Sequence, residues 1–240
     1  KGRVNFGPDQ KEFDFFRYGK DTEIGRHIMR DVRQYIEQYF DAELYPEYAQ
    51  DIQDWLSKTD NSKEDFIKTL MKRSQRYFMY LCNVLPQFVP GGVYENLETP
   101  AKLPLGLMEY YWDHWQRMGM TRPDRSEIEL YIIYLLTETY DWVPASVIAN
   151  YASVNVSQRV SRIVVVDYFN RWMQFLHSFF VADEECYLIY HESFNDFLHK
   201  ERTVQASNVD ISRVKKNYRS ALYGFLLNAS DEPDDDDDDD

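Results

Sequence analysis

Cysteine, glycine, proline and basic charge are all scarce in this sequence, and each shortage excludes something. Cys82 and Cys186 are the only cysteines among 240 residues. Two thiols rule out a disulfide scaffold and a multi-cysteine zinc site, and they point to a cytoplasmic compartment. Nine Gly and nine Pro leave few chain breakers. No apolar run reaches the ~18 residues that span a bilayer, so no membrane segment is expected. No signal peptide is visible, and the sequence opens at Lys1 without a Met. That start reads as a removed leader or as part of a longer protein.

Lys and Arg number 27 against 41 Asp and Glu, a formal net charge of −14. Residues Asp231 to Asp240 hold nine of those acids, which leaves 32 acids against 27 bases elsewhere. The acidic end reads as a solvated, disordered tail. Nucleic acid is not an expected partner, because phosphate binding draws its affinity from surplus Lys and Arg. Catalytic signatures are missing as well. There is no GxxxxGK[ST] loop, HExxH pair, CxxC or GxSxG elbow. His191 and His199 stand eight apart, a poor spacing for a metal pair across a helix start. No metal and no self-sufficient catalytic machinery are expected.

Apolar residues are plentiful, with 19 Tyr, 15 Phe and 5 Trp, enough for a packed core. Most recur at helical spacing. Phe13, Phe15 and Phe16 read as a buried strand or its exit loop. Ile28, Val32, Tyr35, Ile36, Tyr39 and Phe40 define one helix face over 24–40. A short helix fits 47–57 through Tyr48, Ile52, Trp55 and Leu56. Ser62 with Asp65 three later suggests a cap. One long helix is expected to follow, its stripe running Ile67, Leu70, Met71, Ser74, Phe78, Leu81 and Leu85. Residues 86–104 carry four prolines and Gly91-Gly92, the best candidate boundary.

Further helices are expected at 105–118, at 126–139 behind a Ser126 cap, after Pro144, and as a longer element over 157–177. Phe179 to Val181 and Tyr187 to Tyr190 read as a hairpin around a polar turn at 182–186. Helix resumes at Glu192, and 201–230 reads as a C-terminal helix. The fold class is therefore mainly α with one small β-hairpin. Helices followed by a hairpin is the order of a winged helix. In a DNA reader the 157–177 helix would enter the groove. It carries Arg159, Arg162 and Arg171, but Asp167 and its many apolar residues suit a core helix.

Two stretches carry a resemblance. Leu103-Pro104-Leu105-Gly106-Leu107 followed by Tyr110-Tyr111-Trp112 resembles the "LPxGLxxYY" opening of the winged-helix domain in NACHT-type ATPases, a branch of the STAND signalling NTPases. Tyr190-His191-Glu192-Ser193-Phe194-Asn195-Asp196-Phe197-Leu198 resembles the "fHxSFxxFL" stretch that closes it. Upstream, Arg76 to Leu81 is similar to the family's "gnFlYl" lid stretch. Ile28 to Tyr39 is similar to the "DlxxYIxxxL" helix after the last strand of the nucleotide-binding sheet.

The resemblance implies an order of parts. Residues 1–45 would end a nucleotide-binding domain, 46–95 form a helical lid and 103–200 a winged-helix-like domain, before the C-terminal helix and the tail. It implies ADP and ATP as cofactors, with the phosphate loop supplied by an upstream nucleotide-binding domain of the same or a separate chain. It further implies a resting state that opens on nucleotide exchange, with homo-oligomer formation on activation. By motif match His191 would contact the β-phosphate of ADP, since an imidazole can donate to a phosphate oxygen. Tyr77 and Phe78 match the lid's adenine contact. The alternative is a stand-alone winged-helix protein, either a DNA-binding module or a helical interaction scaffold.

Overall fold

The computed structural model describes residues 22–229 apart from 140 and 182, with the backbone alone for 221–229. The expected strand at Phe13 to Phe16 and the acidic tail lie outside the described residues. The chain divides into two compact units between Tyr110 and Tyr111. The prolines and glycines of 86–104 thus fall inside the first unit.

The first unit holds α1 (Glu23–Gln38), α2 (Pro46–Thr59), α3 (Lys63–Arg73) and α4 (Phe78–Val84). Single 3-10 turns at Leu85–Phe88 and Pro100–Lys102 follow. Two helix starts are set by hydroxyl caps. Thr22 Oγ1 accepts the Gly25 N–H and Ser62 Oγ accepts the Asp65 N–H, each satisfying a donor the helix cannot. The helical stripes then meet in an aromatic core. Trp55 lies 4.9 Å from Phe88, and Phe66 lies 5.2 Å from Phe88, both edge-on. Val32, Ile36, Ile52 and Leu70 are fully buried in the same unit.

The long helix expected over 63–85 is broken. Gln75 and Arg76 both adopt positive φ, at 51° and 72°, and α4 starts afresh after them. The apolar stripe continues across the break because both pieces face the same core. Periodicity reports which side chains are buried and says nothing of two left-handed residues between them. The break is held by the turn before α5 (Gly106–Arg117). Arg73 donates to the Ala101 carbonyl, and the Tyr80 hydroxyl donates to the Pro104 carbonyl at 2.7 Å. Gly106 has φ of 77°, and the Gln75 side chain occupies the space a Cβ there would take. The positive φ is what calls for glycine at 106, and a Cβ there would also have to push the exposed Gln75 side chain aside.

The second unit holds residues 111–117 of α5, then α6 (Glu127–Leu136), β1 (Val143–Pro144), α7 (Ala145–Val156), α8 (Arg162–Asn170), β2 (Leu176–Val181) and β3 (Glu184–Ile189). It closes with α9 (Glu192–Leu198), α10 (Glu201–Ser207) and α11 (Ile211–Ala229). Every residue of α6 from Glu129 to Leu136 is buried, so this helix is apolar on all sides and forms the unit's axis. It packs against α7, α8, α11 and β3.

Three expectations are corrected here. The sheet has three antiparallel strands in the order β1-β3-β2, since Val143 and Pro144 pair with Tyr187 and Cys186. Two residues are too few to show alternation, so the sequence reading found only a hairpin. The expected 157–177 helix spans only Arg162–Asn170. Ser157 caps α7 in the left-handed region, and Leu176 already belongs to β2. The 201–230 segment forms two helices, separated by left-handed Asn208.

Candidate functional site

His191 is exposed and sits at the N-cap of α9, with extended backbone. Its Nδ1 accepts the Ser193 N–H at 3.1 Å and lies 2.7 Å from Ser193 Oγ. Ser193 Oγ lies 2.9 Å from the hydroxyl of Tyr111, a buried residue of α5. Proton counting orients this chain. With Nδ1 accepting a backbone N–H, the geometry favours the tautomer whose hydrogen is on Nε2. Ser193 then donates to Nδ1, and Tyr111 donates to Ser193. Burial pushes the Tyr111 phenol up to about 12, which keeps that proton in place. In that tautomer the Nε2–H is the ring's remaining donor.

Apolar packing fixes the same residues. Tyr111 stands 5.3 Å from both Phe175 and Phe194 and 5.6 Å from Phe197. Phe194 stacks on Phe175 at 4.7 Å. The two sequence stretches singled out above, around Tyr111 and around His191, are therefore in contact through Tyr111, Ser193, Phe194 and Phe197. Aromatic pairs of this kind add about 0.5–1.5 kcal/mol each beyond their burial. His199 ends the same helix, where its Nδ1 meets the Asn195 carbonyl at 3.0 Å. The two histidines thus mark opposite ends of α9.

Tyr77 and Phe78 lie in the first unit, side by side at the start of α4. Tyr77 is the N-cap residue and is half-buried. Phe78 is exposed on one side and meets Tyr35 edge-on at 5.6 Å on the other. Tyr35 in turn contacts Tyr39 and, at 3.1 Å, Cys82 Sγ. Tyr39 stacks on Tyr45 at 4.2 Å. This is an aromatic surface able to receive a planar ring on Phe78. It contains no phosphate-binding loop.

Sequence reading missed a second polar cluster. Glu129, buried on α6, accepts from Trp172 Nε1 at 2.8 Å and from Arg171 at 3.1 Å. His114 lies beside it, edge-on to Trp172 at 5.1 Å and bonded to Gln174 at 2.8 Å. Burial, with Arg117 and Arg171 nearby, pushes His114 down to about 3, so its ring is neutral. Burial also raises the Glu129 carboxyl, against the pull of Trp172 and Arg171. By sequence Glu129 reads as the partner three after the Ser126 cap, at the head of the apolar run 130–136, but its carboxylate goes to Arg171 and Trp172 instead. Among the described residues, no three His, Cys, Asp or Glu side chains converge as a metal site. Nor is any described helix long and apolar enough to cross a membrane.

No family model matches the chain, and neither a curated protein nor a solved structure matches it.

Proposed function

We propose that this chain is the lid and winged-helix part of a NACHT-type signalling ATPase, which holds an ADP-bound resting state. The observation that carries the reading is the exposed His191 ring at the N-cap of α9, anchored on Ser193, which Tyr111 backs. An Nε2–H donor with a buried backing suits a terminal phosphate oxygen of ADP. The contact between the Tyr111 and His191 stretches supports the same reading, because these are the two stretches that resemble the family. The order α6-β1-α7-α8-β2-β3, with β1 joining the far side of β3, agrees with a winged helix. In this reading Phe78 and Tyr77 face the adenine. The phosphate loop comes from a nucleotide-binding domain on the same or a separate chain. Exchange of ADP for ATP frees the winged helix, and homo-oligomers form.

The DNA-binding alternative gains little, since the outer side of α8 mixes Arg162 with Ile163 and Asp167. A direct test uses the protein together with its nucleotide-binding domain. His191→Asn keeps an N-cap, because Asn caps helices well, but has no donor at the Nε2 position. ADP affinity is expected to fall about tenfold or more, the worth of one hydrogen bond to a charged group. Thermal stability should hold. Unchanged ADP affinity in that variant removes the assignment.

A further inference from the structure

We propose that the outer edge of β2 is a strand-addition site for an extended, basic segment of a partner protein. This inference is independent of the nucleotide-switch reading. Among the described residues β2 is an edge strand of the sheet, paired with β3. The ladder starts where the Tyr190 N–H donates to the Phe175 carbonyl at 2.8 Å. Antiparallel pairing alternates from there. His177, Phe179 and Val181 turn their backbone groups toward β3. The N–H and C=O of Ser178 and Phe180 therefore face outward.

Edge strands are normally guarded by Lys, Pro, inward charges or shortness. β2 reads Leu-His-Ser-Phe-Phe-Val over six residues, with no Pro and no acid or Lys. Toward the turn its side chains are exposed on both faces, while Leu176 is buried. Phe179 is 59%, Phe180 66% and Val181 49% exposed. On the Phe179 face an aromatic row extends the patch. Trp142 lies 5.8 Å from Phe179 and 6.3 Å from His177, and His177 lies 4.3 Å from Tyr190.

Charge selects the occupant. From Trp172 to His199 the chain has no Lys or Arg. Asp183, Glu184 and Glu185 form the turn end of the hairpin, and Asp141 flanks Trp142. Acids around exposed aromatic rings favour Lys or Arg, both by Coulomb attraction and by cation–π contact. A second copy fits poorly. Pairing β2 with another β2 would set each acidic turn beside a Phe175–Leu176 end that has no base to meet it. A partner strand with apolar residues against Phe179 and Val181, and a base near Asp183, satisfies both edge and charge.

The test uses short synthetic peptides alternating Lys with Val, or Glu with Val, added to the whole chain. Amide hydrogen exchange is followed at Ser178 and Phe180. The basic peptide is expected to slow exchange at both amides, with an affinity that falls as salt rises. The acidic peptide should do nothing. Ser178→Pro removes one outward N–H and leaves the β3 ladder intact. Phe180→Lys guards the edge without touching the backbone. Each should weaken binding about tenfold, with β3 amides exchanging as before. The proposal is overturned by equal protection from the acidic peptide or by no protection from the basic one. It is also overturned by protection that rises with protein concentration alone, which would mark a second copy. Protection already complete in the dilute chain would mark one of its own segments, and overturns it too.

Discussion

Two helices stop where their apolar stripes run on, and they stop for different reasons. In the first unit α3 and α4 are parted by Gln75 and Arg76, two residues in the left-handed region. Backbone strain makes that break, and Arg73, Tyr80 and Gly106 hold it. In the second unit α8 ends at Asn170, and a polar anchor takes over. Arg171 and Trp172 turn back to the buried Glu129 before β2 begins. The first break is a matter of dihedral angles, and the second of hydrogen bonds around a buried charge. Helical periodicity is blind to both, since neither removes a residue from the core.

Substitutions can separate these two mechanisms. Glu129→Ala should do the most damage. It strands the buried Trp172 Nε1–H and leaves Arg171 without its carboxylate. A loss of about 3 kcal/mol is expected in urea unfolding, and a loss under 1 kcal/mol would show that the anchor is dispensable. Acid probes the same cluster through His114. Its imidazole sits at about 3 when folded and near 6.5 when unfolded. Stability is therefore fully present above pH 6.5 and drains away as pH falls toward 3. At pH 5 the loss attributable to His114 is ~2 kcal/mol. The difference between wild type and His114→Gln across pH 5–7 isolates it, and parallel curves would clear His114 of any role.

The strained break should respond less. Gly106→Ala forces a Cβ against Gln75 at a φ that disfavours it, at about 1–2 kcal/mol by the same unfolding measurement. Wild-type stability in this variant would mean that the turn before α5 does not hold the break. Arg76→Gly is the mildest and has the opposite sign. Relief at φ of 72° exceeds the added chain entropy, for a gain of a few tenths of a kcal/mol. A loss instead would mean that the Arg76 side chain matters more than its backbone.

Much of the helical content was legible. The faces of α1, α2 and α6 follow directly from Ile28 through Ile36, Ile52 through Leu56, and the Ser126 cap. Ser62 announced α3 in the same way. What stayed hidden is nonlocal. β1 exists only because Val143 meets Tyr187, 44 positions away by number. The Tyr111–Ser193 bond joins residues 82 apart. His191 drew notice through its neighbours in sequence, but its anchor Ser193 is backed by a tyrosine from another helix. Glu129 stood in the sequence as the residue three after the Ser126 cap, and its partners Arg171 and Trp172 lie 42 and 43 positions further on.

The distribution of indoles has a practical consequence. Trp55 is the one tryptophan in residues 1–110, wedged between Phe66 and Phe88. The other four belong to 111–240, where Trp172 touches a carboxylate and an imidazole. An indole in a hydrocarbon nest emits in the blue. One beside an acid and a histidine ring is open to quenching. The chain therefore carries its own optical reporters, one indole in the first half and four in the second. Light emission can say which half melts first without a single added label.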